Sequence, residues 1–207
     1  MVEQISILCR GSSMIQAGKY FHDVEGDMIA VNEFNEELKN DFVHHLFENK
    51  NVIHMVSKDA GLSNLRPEYY KKYNIDNIIL NRFQDEFNEC AHMRGLLESF
   101  GLSPSYLPDT MKPFQKDGGG FPTTGSIAIL YATLVLNKKD IHIAGMDFYE
   151  KDYFNKIPVK DYQKEKGKFL KQFIIEFIKK YKDVNYTFYT DSDFNPNLKN
   201  VKVIGEK

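Results

Sequence analysis

Six short apolar runs recur along the chain, most of them separated by helix-patterned segments, and this alternation restricts the fold more than any other feature. Ile5–Cys9 (ISILC), Met28–Val31 (MIAV), Val52–Val56 (VIHMV), Asn77–Leu80 (NIIL), Ile141–Ala144 (IHIA) and Tyr186–Tyr189 (YTFY) are four or five residues long. Runs of that length and character predict strands. Glu33–Glu48, Gln84–Phe100, Gly125–Leu136 and Lys164–Tyr181 carry the longer spacing of helices. In the first of these, Phe34, Leu38, Phe42 and Leu46 repeat every four residues and predict a core stripe. Strands alternating with helices build βαβ units. The expectation is therefore a single Rossmann-like α/β domain over residues 1–207, a mainly parallel sheet with helices on both faces. Such sheets bind ligands beyond the carboxyl ends of their strands, so the residues just after each run are the place to look for function.

Composition narrows the class. The chain has 207 residues, 42% hydrophobic and 27% charged, enough for one full domain and unlike a disordered segment. Its formal net charge of −2 argues against nucleic acid as a partner. Cys9 and Cys90 form no metal-ligand spacing and read as buried thiols of a reducing compartment. No apolar run approaches the roughly 20 residues of a membrane span, and the apolar start is too short for a signal peptide. The expected location is the cytoplasm. From 151 to 182 the chain carries ten lysines against four acids, so contact with the inner face of an anionic membrane is the sharper reading of that segment. A solvated helix face is its plainer one.

Five strand-end segments are candidates for chemistry. Arg10, Gly11, Ser12 and Ser13 follow the first strand; a small-residue turn lets N–H and hydroxyl groups approach a phosphate or ribose, or a serine caps the next helix. Asn32 follows the second and either meets a base edge or caps a helix opening at Glu33. Gly120, Phe121 and Pro122 lead into Thr123, Thr124, Gly125 and Ser126, which open a helix apolar almost all round. A buried helix with its N-terminus on the crevice suits a phosphate; a threonine-capped core helix is the simpler alternative. Asp147 closes the strand IHIA, with Tyr149 and Tyr153 beyond it as uncharged donors for phosphate oxygens or as a cover for the sheet edge. His44 and His45 read as solvated helix residues. Gly101–Gly120, with three prolines and three successive glycines, predicts a long surface loop.

In chain order these pieces resemble the sialyltransferases, chiefly the bacterial family that decorates lipooligosaccharide. The run TTGSIAILYATLVLNKKDIHIAGMDFY is similar to that family throughout, and more loosely to the small sialylmotif of the animal enzymes; Asn32-Glu33-Phe34 adds a short second match. The resemblance touches about a third of the chain and leaves 50–120 unmatched. It implies an inverting, metal-independent glycosyltransferase that moves an acidic sugar, sialic acid or Kdo, from a CMP donor to a glycan hydroxyl. No cofactor or metal is expected beyond that donor. Gly11, Ser13, Asn32, Thr124 and Gly125 would hold CMP, while Tyr149 and Tyr153 would stabilise the departing phosphate.

Three positions depart from the family. Its first-turn asparagine is Arg10, the arginine before its Thr-Ser-Gly is Phe121, and its general-base histidine has no counterpart, since His142 is the last histidine. Alignment without gaps puts that base near Glu165, with Asp161 one turn away and His54 as a competitor. Two other classes remain: a metal-dependent pyrophosphokinase-like enzyme with Asp147 as ligand, and a non-catalytic nucleotide-sugar binder.

Overall fold

A computed structural model describes residues 3–35, 37–57, 67–115, 123–154 and 156–205, with the backbone alone at 67, 86–90, 92 and 93. The strands are β1 (Gln4–Leu8), β2 (Met28–Val31), β3 (Val52–Val56), β4 (Asn77–Leu80), β5 (Ser105–Tyr106), β6 (Asp140–Ala144), β7 (Asn185–Tyr189) and β8 (Val201–Ile204). The helices are α1 (Ala17–Tyr20), α2 (Asp41–Asn49), α3 (Pro67–Lys72), α4 (Phe87–Ser99), α5 (Thr124–Leu134) and α6 (Asp161–Lys180). All eight strands join one parallel sheet in the order β5-β4-β3-β2-β1-β6-β7-β8. The fold is the expected Rossmann-like α/β type. The chain builds outward from β1 to β5, then returns through α5 to place β6 on the other side of β1. The order therefore reverses between β1 and β6, and their carboxyl ends open the crevice typical of this class.

Strand side chains alternate between two cores. Ile5, Ile7, Ile29, Ile53, Ile141 and Phe188 pack toward α5 and α6. Leu8, Met28, Ala30, Val52, Ile78 and Ala144 point the other way, toward Phe34, Val43, Phe47, Tyr70 and Leu97. Burial of both faces explains why the strands read as continuous apolar runs. Helix α5 lies over the middle of the sheet and buries Thr124 through Thr133. Each of its large aliphatic side chains contributes roughly 1.5–3 kcal/mol of burial, which is why no polar stripe is needed. Helix α6 buries Leu170, Ile174, Phe177 and Ile178, with Asp161 in its first turn and Lys179 and Lys180 in its last, charges that suit its dipole. Among the described residues no helix is long and apolar enough to cross a membrane.

Several sequence expectations give way here. The helix predicted over Glu33–Glu48 begins only at Asp41, after a 3-10 turn at Glu37–Lys39, and Asn40 is its cap, accepting from the Phe42 and Val43 N–H groups. Asn32 instead takes φ 58°. With the start moved, Val43, Leu46 and Phe47 face the core and Phe42 is 59% exposed. His44 is not simply solvated: it meets the Tyr73 hydroxyl at 2.7 Å and Glu48 at 2.9 Å. The expected loop at 101–120 contains β5 and a 3-10 turn, Asp109–Phe114, which buries Met111; residues 116–120 lie outside the described residues. β5 and β8 were not foreseen. β5 is two residues long, and β8 (VKVI) alternates a lysine into an edge position, so neither has the pattern of a buried strand. Helix α6 starts three residues earlier than the Lys164 expected from sequence.

Candidate functional site

A cavity of about 540 Å³ opens at the carboxyl edge of the sheet. Its wall follows the strand ends in order: Cys9, Arg10 and Gly11 after β1; Asn32 and Glu33 after β2; Ser57 after β3; Asn81 and Arg82 after β4; Gly145 through Tyr149 after β6. Thr123, Thr124 and Gly125 enter from the start of α5, and Tyr162, Gln163 and Lys166 from the first turns of α6. The volume is that of a small-molecule or cofactor site.

The start of α5 is a closed cap with two open donors. Thr123 Oγ1 accepts from the Ser126 N–H at 3.1 Å, and Ser126 Oγ accepts from the Thr123 N–H at 3.1 Å, a reciprocal capping box. Ser126 is thereby spent on the helix itself. The N–H groups of Thr124 and Gly125, at the positive end of the dipole, have no acceptor among the described residues and lie on the cavity wall. A Cβ at Gly125 would stand 2.9 Å from Cys9 Sγ and Met146 Cε, so these side-chain ends would have to shift to admit a larger residue. Burial pushes the Cys9 thiol up to about 12, so it packs as an apolar group and not as a nucleophile. Gly120, Phe121 and Pro122 lie outside the described residues.

Asp147 is the fastener of the crevice. Its carboxylate, 3% exposed, accepts from the Ser13 N–H at 2.9 Å, from the Ser13 hydroxyl, from Ser12 Oγ at 3.2 Å and from Thr190 Oγ1 at 2.9 Å. It ties the β1 turn to the ends of β6 and β7. Gly11 must be small because a Cβ would stand 2.5 Å from Asp147 Oδ2 and 2.6 Å from the Gly145 carbonyl. Ser12 and Ser13 therefore serve Asp147; neither caps the following turn, and neither lines the cavity.

Tyr149 and Tyr153 stand on the cavity beside each other, their ring centroids 6.4 Å apart. Phe148 and Tyr149 both adopt positive φ, 51° and 60°, an uncommon conformation for aromatic residues that costs energy and has to be held by surrounding contacts. The Phe148 carbonyl presses against Gly167 of α6, where a Cβ would lie 2.0 Å away, and Phe148 stacks on Phe194 at 4.5 Å. Burial raises both phenols above their ordinary range, Tyr149 strongly, so each is a neutral O–H donor. Tyr153 Oη also accepts from Gln163 Nε2 at 3.0 Å.

Arg10 is less available than a strand-end arginine suggests. Its Nε donates to Glu37 Oε1 at 2.6 Å, a second nitrogen lies 3.8 Å from Glu33 Oε2, and its guanidinium sits 6.0 Å from the Tyr153 ring centre. Burial raises the Glu37 carboxyl, and the adjacent Arg10 charge pulls it back down. The other cavity cations include Lys151 and Lys166, which have no carboxylate partner among the described residues.

Of the residues marked from sequence, Arg10, Gly11, Asn32, Thr123, Thr124, Gly125, Asp147, Tyr149 and Tyr153 line this one cavity. Ser12, Ser13 and Ser126 support it from behind. Asp161 and Glu165 are exposed and do not line it, whereas Tyr162, Gln163 and Lys166 of the same helix do, Tyr162 at its open rim. His54 is sealed in the opposite core, meeting the Tyr70 hydroxyl at 2.9 Å through Nδ1 and the Asn32 carbonyl at 2.6 Å through Nε2. Sequence reasoning passed over Glu33, Asn81 and Arg82, although each stands directly after a predicted strand or its first residue beyond. Tyr162 and Lys166 were passed over because only the fold of α6 against the strand ends brings them to the cavity, and Lys151 because it reads as one of a run of lysines. Compared with known proteins, the chain matches no family model, no curated protein and no solved structure.

Proposed function

We propose that the cavity binds a CMP-activated acidic sugar and that the protein transfers that sugar to a glycan hydroxyl. The observation that carries this reading is the open start of α5 on the same cavity as two neutral tyrosines and the lysines Lys151 and Lys166, which have no carboxylate partner among the described residues. Backbone N–H groups at a helix start favour a phosphate oxygen. Phenol donors stabilise charge on a departing phosphate without adding a fixed charge of their own. Support also comes from sequence, since the run that resembles sialyltransferases coincides with α5, β6 and the strained turn at Tyr149.

In this reaction the acceptor oxygen forms a bond to the anomeric carbon, and the bond from that carbon to the phosphate oxygen breaks. The electron pair leaves with CMP, where the α5 start and the two phenols receive the new charge; the acceptor hydroxyl gives up its proton to a base. Asp147, the ligand that a metal-dependent pyrophosphokinase-like reading would favour, already accepts hydrogen bonds on both oxygens from Ser12, Ser13 and Thr190. Binding is tested by melting. CMP or CDP should raise the melting temperature by several degrees at saturating concentration, with NAD and ATP well behind. Equal shifts for every nucleotide, or no shift for CMP, would remove the CMP assignment.

A further inference from the structure

Resting on the transfer reaction above, we propose that Glu33 is its general base. A base must be a cavity-lining group able to take a proton from a hydroxyl, within hydrogen-bond reach of the bound acceptor. The described carboxylates on the cavity wall are Glu33 and Asp147. Asp147 is closed off by four protein donors. The cavity wall has no histidine among the described residues, and the acids of α6 do not line it.

Glu33 is aimed by the backbone. Asn32 turns at φ 58° at the end of β2, fixed by its own N–H to the Met55 carbonyl at 2.8 Å and by its side-chain oxygen, which accepts from the Ser57 N–H at 3.2 Å. That turn drops Phe34 into the core, against Phe47 and His54, and leaves the preceding Glu33 on the cavity. Arg10 is 3.8 Å from Glu33 and 6.0 Å from the Tyr153 ring centre. Glu33 and Tyr153 thus share one guanidinium neighbour and line the same cavity, so a base and a leaving-group donor stand in one site. Glu37, buried and bonded to Arg10, holds the guanidinium in place without lining the cavity. In the reaction the acceptor O–H bond breaks as its oxygen bonds to the sugar carbon, and the proton passes to a Glu33 oxygen.

The test uses the full chain with CMP-sialic acid and CMP-Kdo as donors, reading CMP release to water and to a panel of glycosides. Glu33→Ala and Glu33→Gln should each lower release by about 10²- to 10⁴-fold while CMP affinity stays within about threefold. Added formate should restore part of the Glu33→Ala rate, and the acid limb of the wild-type pH profile should vanish in Glu33→Gln. A residue that only positions Arg10 would weaken CMP binding instead and give no formate rescue, which overturns the proposal. Wild-type turnover in either variant overturns the base alone. A wild-type chain that binds CMP but releases none from either donor overturns base and transfer together, and one that does not bind CMP overturns the site reading itself.

Discussion

Asp147 shows how a residue's type can be visible in sequence while its work is not. A carboxylate at the end of a central strand was a clear candidate for ligand contact, yet its oxygens are consumed by Ser12, Ser13 and Thr190. Thr190 is 43 residues away and no local pattern announces the pairing. Each hydrogen bond to a charged group contributes about 1.5–3 kcal/mol, so Asp147→Ala should lower unfolding stability by about 3 kcal/mol or more in urea titrations. A loss under about 1 kcal/mol would mean that the fastener is not needed. Tyr149 was placed more directly, because it follows the strand end by a fixed offset. Tyr149→Phe should reduce kcat by roughly 5- to 150-fold, about 1–3 kcal/mol, with a smaller effect on KM, since the phenol acts as charge develops on the phosphate. Unchanged turnover would reduce Tyr149 to a cover for the sheet edge.

At the scale of elements, α5 was legible almost to the residue, because an apolar run entered by a threonine cap has few other readings. α2 was not. The spacing of Phe34, Leu38, Phe42 and Leu46 mimics one helix, whereas two of those residues are buried from irregular backbone or a 3-10 turn. Phe34 and Leu38 are in the series through burial without α-helicity, and Phe42, 59% exposed, shares the spacing without sharing the core. The loop between β6 and α6 is controlled from α6, where Gly167 admits the Phe148 carbonyl. Gly167→Ala favours the helix by propensity, yet the new methyl must displace that backbone. The substitution should therefore cost about 1–3 kcal/mol of stability and weaken CMP binding together, as calorimetry and nucleotide titration would show. A stabilised variant with unchanged binding would show that α6 does not hold the tyrosine turn.

For the molecule as a whole, pH should act through the buried histidine. Burial lowers His54 to about 4, so its imidazole is neutral in the folded protein, Nε2–H donating to the Asn32 carbonyl and Nδ1 accepting from Tyr70. The unfolded chain takes up the proton first as pH falls below its ordinary 6.5. Stability is therefore complete above about 6.5 and declines toward 4, by about 3 kcal/mol at roughly 1.4 kcal/mol per pKa unit. His142, also lowered by burial, acts in the same direction; the raised Glu37 opposes both just above its ordinary 4.5. Urea unfolding at pH 7.5, 6 and 5 should show this decline in the wild type and a flatter one in His54→Gln, which keeps a donor and an acceptor. Equal slopes would locate the acid sensitivity elsewhere. The sequence by itself determined the layered parallel sheet, the strand ends as the place of the cavity and the identity of α5 as its buried helix. Those features follow from local apolar pattern and capping chemistry, which act over a few residues. Only the tertiary structure decided which side chains face the cavity. It spent Ser12, Ser13 and Asp147 on one another, turned Asp161 and Glu165 to solvent, sealed His54, and brought in Glu33, Asn81 and Lys166. Those outcomes depend on pairings between elements far apart in the chain and on the φ of single residues such as Asn32 and Tyr149, which pattern and composition do not encode.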